Sequence, residues 1–310
     1  MAAVFGKRHS RLYFADGTFT LKAEDGTYYN VNRELLILKS DFFCGMLSLP
    51  IPGHPPLRLN QTSKELLQKA KEAGLDGTSD ETAVKFPPHF TSSECDIFLE
   101  FIFNILPWTK DSPGLDRLCA LLKTCDFYAV ESGMEYATHH LENHPDLRAA
   151  LRYQLASTYH IARWAHRAFR EMMSASILDL SLQEEAWLGW DAYRVLVRTH
   201  AQVAKYRLTL AFFPPDVVHA HFCYDKAYCQ SRWEANWVGL TGGLGTLLMD
   251  EVSGAEMHDG LSEMEVPGMT GECRLLTITS IQDTPSEKSL LRKEEQLVET
   301  AVEALIKTWA

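Results

Sequence analysis

The pattern of apolar and polar residues predicts a strand followed by two short helices at residues 27–49. Residues 27–31 are aromatic and β-branched, which is typical of a strand. Asn32 can cap a first helix, and Ser40 can cap a second one. The second helix carries apolar residues at helical spacing: Phe42, Phe43, Met46 and Leu47. Because these residues occupy more than one side of the helix, Phe43 is predicted to be buried.

The chain on either side of this segment predicts a small sheet flanked by helices. Residues 19–23 alternate as a strand, and Asp25-Gly26 supplies the turn of a hairpin with residues 27–31. Further strands are predicted at 57–59 and 84–86, and an exposed helix at 63–73. A capping box at Thr91 and Glu94 starts an apolar helix, and two more helices are predicted at 115–127 and 131–142. We place this first domain at 14–144.

The second half of the chain is helical in pattern, and we assign it to a second domain at 145–310. A capping box at Ser181 and Glu184 precedes a long helix predicted at 191–211. Pro214-Pro215-Asp216 is predicted to start a short helix, and further helices are predicted at 232–249 and 287–309. Their apolar faces must be buried against one another. The predicted fold class is therefore α+β, with an all-α second domain.

Composition narrows the range of partners. The 310 residues carry a net charge of −11, and no lysine or arginine run compensates for it, so direct binding of nucleic acid is not expected. The most apolar run, at 97–108, is interrupted by Glu100, Asn104 and Pro107, so no membrane span is expected. Seven cysteines without a disulfide-like spacing, and no signal-peptide pattern at the start, indicate an intracellular protein, cytoplasmic or nuclear.

The segment at 31–46 resembles the core signature of the BTB/POZ domain, a protein-interaction fold. The signature runs V-x-(H)-R-x-x-L and then S-x-x-F-x-x-M, and this chain has VNRELL at 31–36 and SDFFCGM at 40–46. Asn32 stands where the family usually has histidine. The aspartate that usually opens the first strand is absent, with Thr18 as its nearest match. In the family these two positions help to shape a charged groove at the dimer interface, so the resemblance implies an altered groove here.

The second half resembles the segments that follow the BTB domain in proteins of mushroom-forming fungi. LASTYHIARW at 155–164 is similar to LA-x-x-Y-x-V-x-x-W, and LQEEAWLG at 182–189 is similar to L-x-x-E-x-A-x-x-L-G. Cys223, Cys229, Trp233 and Trp237 follow the order C…C…W…W, and VPGM at 266–269 with Cys273 resembles I-P-G-M…C. The resemblance implies a BTB domain followed by a helical, BACK-like domain.

From this resemblance we expect a non-enzymatic interaction module that serves as a scaffold or adaptor in ubiquitin ligation or transcription. Its protein partner is unknown, and both a homodimer and a cullin are candidates. The family's cullin motif has a glutamate shortly after the Met46 position, whereas residues 47–52 read LSLPIP. The residues expected to contact a partner are Asn32, Phe42, Met46, Leu47 and Leu49.

The first residues of the chain indicate whether a BTB-type dimer could exchange its N-terminal elements. Domain-swapped BTB dimers exchange an N-terminal helix and strand, but residues 6–10 have no apolar stripe that would support such a helix. We therefore expect a monomer, or a dimer formed without N-terminal exchange.

One cluster of residues has metal-ligand chemistry: His219, His221, Cys223 and Cys229. Two imidazoles and two thiolates suit zinc, but the spacing is not that of a common zinc finger and no second Cys-x-x-Cys accompanies it. Cysteines beside aromatic residues are more often ordinary core residues. The sequence therefore favours no metal and no other cofactor. A metal-dependent enzyme or a structural zinc protein built on these four residues is the alternative.

Overall fold

The computed structural model describes residues 6–48, 76–105, 113–242, 263, 265–282 and 290–309. The chain divides into two compact units, Met1–Leu147 and Arg148–Ala310, so the division lies beside the His144-Pro145 pair. The first unit combines a small mixed sheet with helices, and the described residues of the second unit form helices and loops. The predicted α+β class is confirmed at this level.

Within the residues that the structure describes, four strands form the sheet of the first unit in the order β1-β3-β2-β4. They are β1 (Arg8–Tyr13), β2 (Phe19–Lys22), β3 (Tyr28–Val31) and β4 (Val84–Lys85). The predicted hairpin is confirmed, because β2 pairs antiparallel with β3. Its turn needs glycine at Gly26, where φ is 88°. Strand β4 pairs parallel with β2 at the other edge. The strand predicted at 57–59 and the helix predicted at 63–73 lie outside the described residues.

The sequence pattern misses β1, which pairs parallel with β3. Leu12 is its one fully buried residue and most of the others are exposed, so the strand lacks the alternation by which strands are recognised. Backbone hydrogen bonds hold the strand instead. The amide of Tyr28 donates to the carbonyl of Lys7 at 2.8 Å, and the amide of Phe14 donates to the carbonyl of Asn30 at 2.8 Å. The sheet therefore begins before residue 14.

The helices of the first unit are α1 (Arg33–Lys39), α2 (Asp41–Ser48), α3 (Ser92–Ile102), α4 (Leu115–Phe127) and α5 (Glu131–Glu142). Three predicted caps are confirmed. Asn32 accepts a hydrogen bond from the amide of Leu35 at 3.1 Å. Ser40 accepts one from the amide of Phe43 at 3.1 Å. The capping box of Thr91 and Glu94 is complete.

The core of the first unit is an aromatic cluster around Tyr128. The Phe43 ring stacks on it with 5.1 Å between centroids, and the Phe98 ring lies 4.7 Å away. The hydroxyl of Ser40 donates to the carbonyl of Tyr128 at 2.6 Å, so the α1–α2 junction is attached to the end of α4. Phe43 is buried, as the sequence predicts. This attachment fixes the position of Phe42, which follows in α2.

Six α-helices of the second unit lie within the described residues, together with two short 3₁₀ helices, Ile177–Asp179 and Lys307–Trp309. The α-helices are α6 (Ala149–Thr158), α7 (Ala162–Met173), α8 (Leu182–Phe212), α9 (Lys226–Gly242), α10 (Gly271–Gln282) and α11 (Leu290–Ile306). Helix α8 is interrupted at Gly189, where φ is 70° and ψ is 165°. No described helix has both the length and the apolar character needed to cross a membrane.

The short helix predicted to start at Pro214 is not formed, and this prediction is wrong. The chain has no helix between Phe213 and Asp225. Its amide groups donate to side chains of other elements instead: Val217 to Gln230 of α9 at 3.1 Å, and Val218 to Thr277 of α10 at 3.0 Å. Because the amides of Val217 and Val218 have acceptors on other helices, this part of the chain satisfies them without a helical turn. This stretch, residues 213–225, is called the connecting segment below.

The start of α8 makes the stability of the second unit sensitive to acid. The Glu184 carboxylate accepts hydrogen bonds from the Ser181 hydroxyl at 2.6 Å and the Ser181 amide at 2.9 Å. These bonds, together with Arg148 at 3.2 Å, lower the pKa of Glu184. A lowered folded-state pKa contributes stability that is present above the unfolded-state value of about 4.3 and is lost as the pH falls through the folded value.

We therefore expect Glu184→Gln to be less stable than the natural chain at neutral pH, by about 1 kcal/mol, because a neutral amide accepts weaker hydrogen bonds than a carboxylate. The difference is expected to shrink as the pH falls below about 4. Urea unfolding at a series of pH values measures it, with the exposed Glu303→Gln as the control. A difference that stays constant down to acid pH would contradict this account.

Candidate functional site

The residues expected to contact a partner differ in how far the structure exposes them to solvent. Asn32 is exposed, but its side-chain oxygen caps α1. Phe42 is 40% exposed, and Met46 and Leu47 are half-buried. Leu49 lies outside the described residues. Of the set, Phe42 offers the largest exposed apolar surface, so the geometry centres on it.

Phe42 belongs to a surface that two other elements complete. Its ring lies 5.8 Å from the ring of Phe127, the last residue of α4, which is 39% exposed. The exposed imidazole of His89 lies 5.4 Å from the Phe127 ring. We call these three residues, Phe42, Phe127 and His89, the Phe42 patch.

The exposed charges next to the Phe42 patch are mainly acidic. Asp41 and Asp126 are exposed and directly precede Phe42 and Phe127 in the chain. Glu34 and Glu131 are also exposed, in the first turns of α1 and α5. Two cations lie nearby and both have acceptors. Lys39 donates to the carbonyl of Ile102 at 2.8 Å, and Lys123 donates to the carbonyl of His89 at 3.1 Å and to the Glu94 carboxylate at 2.7 Å. An apolar surface with carboxylates beside it favours an apolar ligand that carries positive charge.

The sequence identifies Phe42 but misses Phe127 and His89. Phe127 ends a correctly predicted helix, and only the tertiary contact between the α1–α2 junction and Tyr128 brings it beside Phe42. His89 is in a loop where no periodicity exists to assign it. The sequence near Phe127 or His89 does not indicate a binding role, because the contacts Phe42–Phe127 and His89–Phe127 join parts of the chain that are far apart.

The second unit contains a cluster of four potential metal ligands: His219, Cys223, Cys229 and Cys273. Their ligand atoms all lie within 4.8 Å of one another. The Cys223 sulfur lies 3.7 Å from Nδ1 of His219 and 3.6 Å from the Cys229 sulfur. We call this group the Cys₃His cluster.

Three elements supply the Cys₃His cluster. His219 and Cys223 are in the connecting segment, Cys229 is in the first turn of α9, and Cys273 is in the first turn of α10. The structure thus brings together three of the four residues singled out in the sequence. It places the fourth, His221, outside the cluster on the surface, and replaces it with Cys273.

Hydrogen-bond donors and a tryptophan-rich core surround the sulfur atoms. The amide of Ala220 donates to the Cys273 sulfur at 3.2 Å. The Thr270 hydroxyl lies 3.3 Å from the Cys229 sulfur. Trp233 is fully buried beside the cluster, and its indole N–H donates to the carbonyl of Pro215 at 2.8 Å. These contacts hold the connecting segment, α9 and α10 together around the four ligands.

The sulfur atoms also influence each other's protonation. Burial, and then hydrogen bonds with Cys229 and Cys273, raise the pKa of the Cys223 thiol to about 11. Burial acts in the same direction on Cys229, but hydrogen bonds with Thr270 and Cys223 outweigh it and lower the pKa of that thiol.

The acids nearest in sequence do not give the cluster a general base. Asp225 accepts a hydrogen bond from the amide of Tyr228 at 2.8 Å and so caps the start of α9. Asp216 precedes Val217 in the connecting segment and is not a member of the cluster. The arrangement suits metal binding better than acid–base chemistry.

Comparison with known proteins does not assign the chain to a family. The chain matches no model of a protein family, no curated protein and no solved structure.

Proposed function

We propose that the protein is a non-enzymatic protein–protein interaction module of the BTB type, which binds a protein segment at the Phe42 patch. The observation that carries the proposal is the pairing of the half-exposed rings of Phe42 and Phe127 at the α1–α2 junction. Large exposed apolar side chains close together are typical of protein-binding surfaces, and aromatic residues are common at their energetic centres. The resemblance of residues 31–46 to the BTB signature supports the same surface.

The ligand we propose is a segment with one apolar side chain flanked by lysine or arginine. The apolar side chain would pack on the rings of Phe42 and Phe127, and the basic residues would face Asp41 and Asp126. A scaffold or adaptor role, with a cullin or a second copy of the chain as partner, is the family behaviour that fits this chemistry. All seven cysteines are free, which supports an intracellular, reducing location.

A phage-displayed library of random peptides, selected on the full chain, tests the proposed ligand. The enriched peptides are expected to share an aromatic or aliphatic residue with lysine or arginine within about three positions, and to bind more weakly as salt increases. Enrichment of acidic peptides, or of none, would contradict the proposed chemistry.

Phe42→Ala is expected to weaken binding of the enriched peptides at least about tenfold, or about 1.4 kcal/mol. Because Phe42 is 40% exposed, the change should leave the chain folded, which circular dichroism verifies. Asp126→Lys is expected to weaken binding of the basic peptides as well. Phe213→Ala and Glu135→Lys, at exposed positions outside the patch, are the matched controls. Equal affinities for Phe42→Ala and Phe213→Ala would place the binding surface elsewhere.

A further inference from the structure

Two distances between ligand atoms of the Cys₃His cluster match those of a tetrahedral metal site. Zinc binds sulfur at about 2.3 Å and nitrogen at about 2.0–2.1 Å, so tetrahedral coordination places neighbouring ligand atoms roughly 3.5–3.8 Å apart. The observed separations are 3.7 Å from Nδ1 of His219 to the Cys223 sulfur and 3.6 Å between the sulfurs of Cys223 and Cys229. All four ligand atoms lie close enough to surround one ion.

We propose that His219, Cys223, Cys229 and Cys273 bind one structural Zn²⁺, a site that is independent of the interaction surface on the first unit. Three thiolates and one imidazole form a donor set that zinc uses in structural sites, whereas magnesium, calcium and manganese prefer oxygen. Three thiols this close repel one another when ionised, and a divalent cation among them removes that repulsion.

Polar groups lie against the sulfur atoms of the cluster, as they do around thiolates that bind a metal. The amide of Ala220 points at the Cys273 sulfur, and Thr270 lies at the Cys229 sulfur, so two of the three sulfurs have a polar partner besides the other ligands. Such outer contacts orient metal ligands and stabilise their negative charge. A disulfide between Cys223 and Cys229 would require a sulfur–sulfur distance near 2.05 Å, and it would not account for the positions of His219 and Cys273.

Four protein ligands make the site structural rather than catalytic. A catalytic zinc keeps three protein ligands and an open position for water or substrate, whereas here the protein offers four ligands. The ion would join the connecting segment and the first turns of α9 and α10. Within the part of the chain that the structure describes, the core at this place holds nine buried residues. A metal that binds only the folded chain adds to the stability that this core supplies.

Metal analysis of the purified full chain tests the site. Plasma mass spectrometry is expected to find one zinc per chain, and replacement by Co²⁺ is expected to give the absorption bands of tetrahedral cobalt thiolate. Cys229→Ser and Cys273→Ala are expected to lose the zinc. His221→Ala and Cys44→Ser, which change an exposed histidine and an exposed cysteine outside the cluster, are expected to keep it.

Two further measurements separate loss of metal from loss of folding. Cys223→His, which retains a zinc ligand, is expected to keep the metal where Cys223→Ser loses it. A strong chelator is expected to lower the melting temperature of the natural chain and to leave that of Cys273→Ala unchanged. A folded natural chain that takes up no zinc, a disulfide between Cys223 and Cys229 in the purified protein, or zinc that His221→Ala removes and Cys273→Ala retains would each overturn the proposal.

Discussion

Phe43→Ala is expected to lower the free energy of unfolding of the first unit by about 3–5 kcal/mol. Its ring is fully buried, stacks on Tyr128 at 5.1 Å and contacts the edge of Phe19 at 6.3 Å. Removing it leaves a cavity in the aromatic cluster that joins the sheet to α2 and α4. Phe42→Ala, one position away and 40% exposed, is the matched control and is expected to cost distinctly less.

The distribution of tryptophan residues allows the two units to be followed separately in this measurement. Six of the seven tryptophans belong to the second unit, so their fluorescence reports mainly on that unit, while far-ultraviolet circular dichroism reports on both. In a urea titration, Phe43→Ala is expected to shift the dichroism transition and to affect the fluorescence transition less. Equal stabilities of Phe43→Ala and Phe42→Ala would show that the aromatic cluster does not depend on Phe43.

Glu294→Ala is expected to destabilise the second unit by about 3–5 kcal/mol, because it breaks a buried ion pair. Glu294 accepts two hydrogen bonds from Arg207, from Nε at 2.9 Å and from Nη2 at 3.0 Å, and these bonds join α8 to α11. Both side chains are about nine-tenths buried. Without the carboxylate, the guanidinium charge stays in a place where water cannot easily solvate it.

Two controls separate the effect of burial from the effect of charge. Glu299 is on α11, like Glu294, and forms an exposed ion pair with Arg170 of α7. Glu299→Ala breaks this pair and is expected to cost less than about 1 kcal/mol. Replacing both buried partners, by Arg207→Met and Glu294→Leu together, is expected to recover most of the stability. Tryptophan fluorescence in urea measures all three. A double variant as unstable as Glu294→Ala would show that the geometry of the pair, rather than the buried guanidinium charge, is responsible.

Local signals in the sequence predict much of the fold. Helices α4 and α5 have the predicted bounds, and the capping boxes at Thr91 and Ser181 are formed, because a cap and its helix lie within a few residues of each other. Strand β1 has no such local signal, because backbone pairing with β3 forms it and its residues do not alternate between apolar and polar. The helix predicted at Pro214 fails because its amides bond to side chains of α9 and α10.

The candidate sites depend even more on long-range contacts. The sequence finds His219, Cys223 and Cys229, which lie within eleven residues, but it assigns His221 to the group because adjacency in sequence is the available criterion. Cys273 joins through the packing of α10 against the connecting segment, for which no short-range pattern exists. Phe127 reaches Phe42 in the same way, through the bond between Ser40 and Tyr128.

The break in α8 has a consequence for inherited variation. Gly189 has open space beside it: apart from its own stretch of helix, no atom of the described residues lies within 4 Å of the position that a β-carbon would take. Its backbone angles, φ 70° and ψ 165°, nevertheless belong to a region that only glycine enters without strain. Every missense change at this codon therefore strains the chain, however small the new side chain is, and a screen based on volume alone would classify these alleles as harmless.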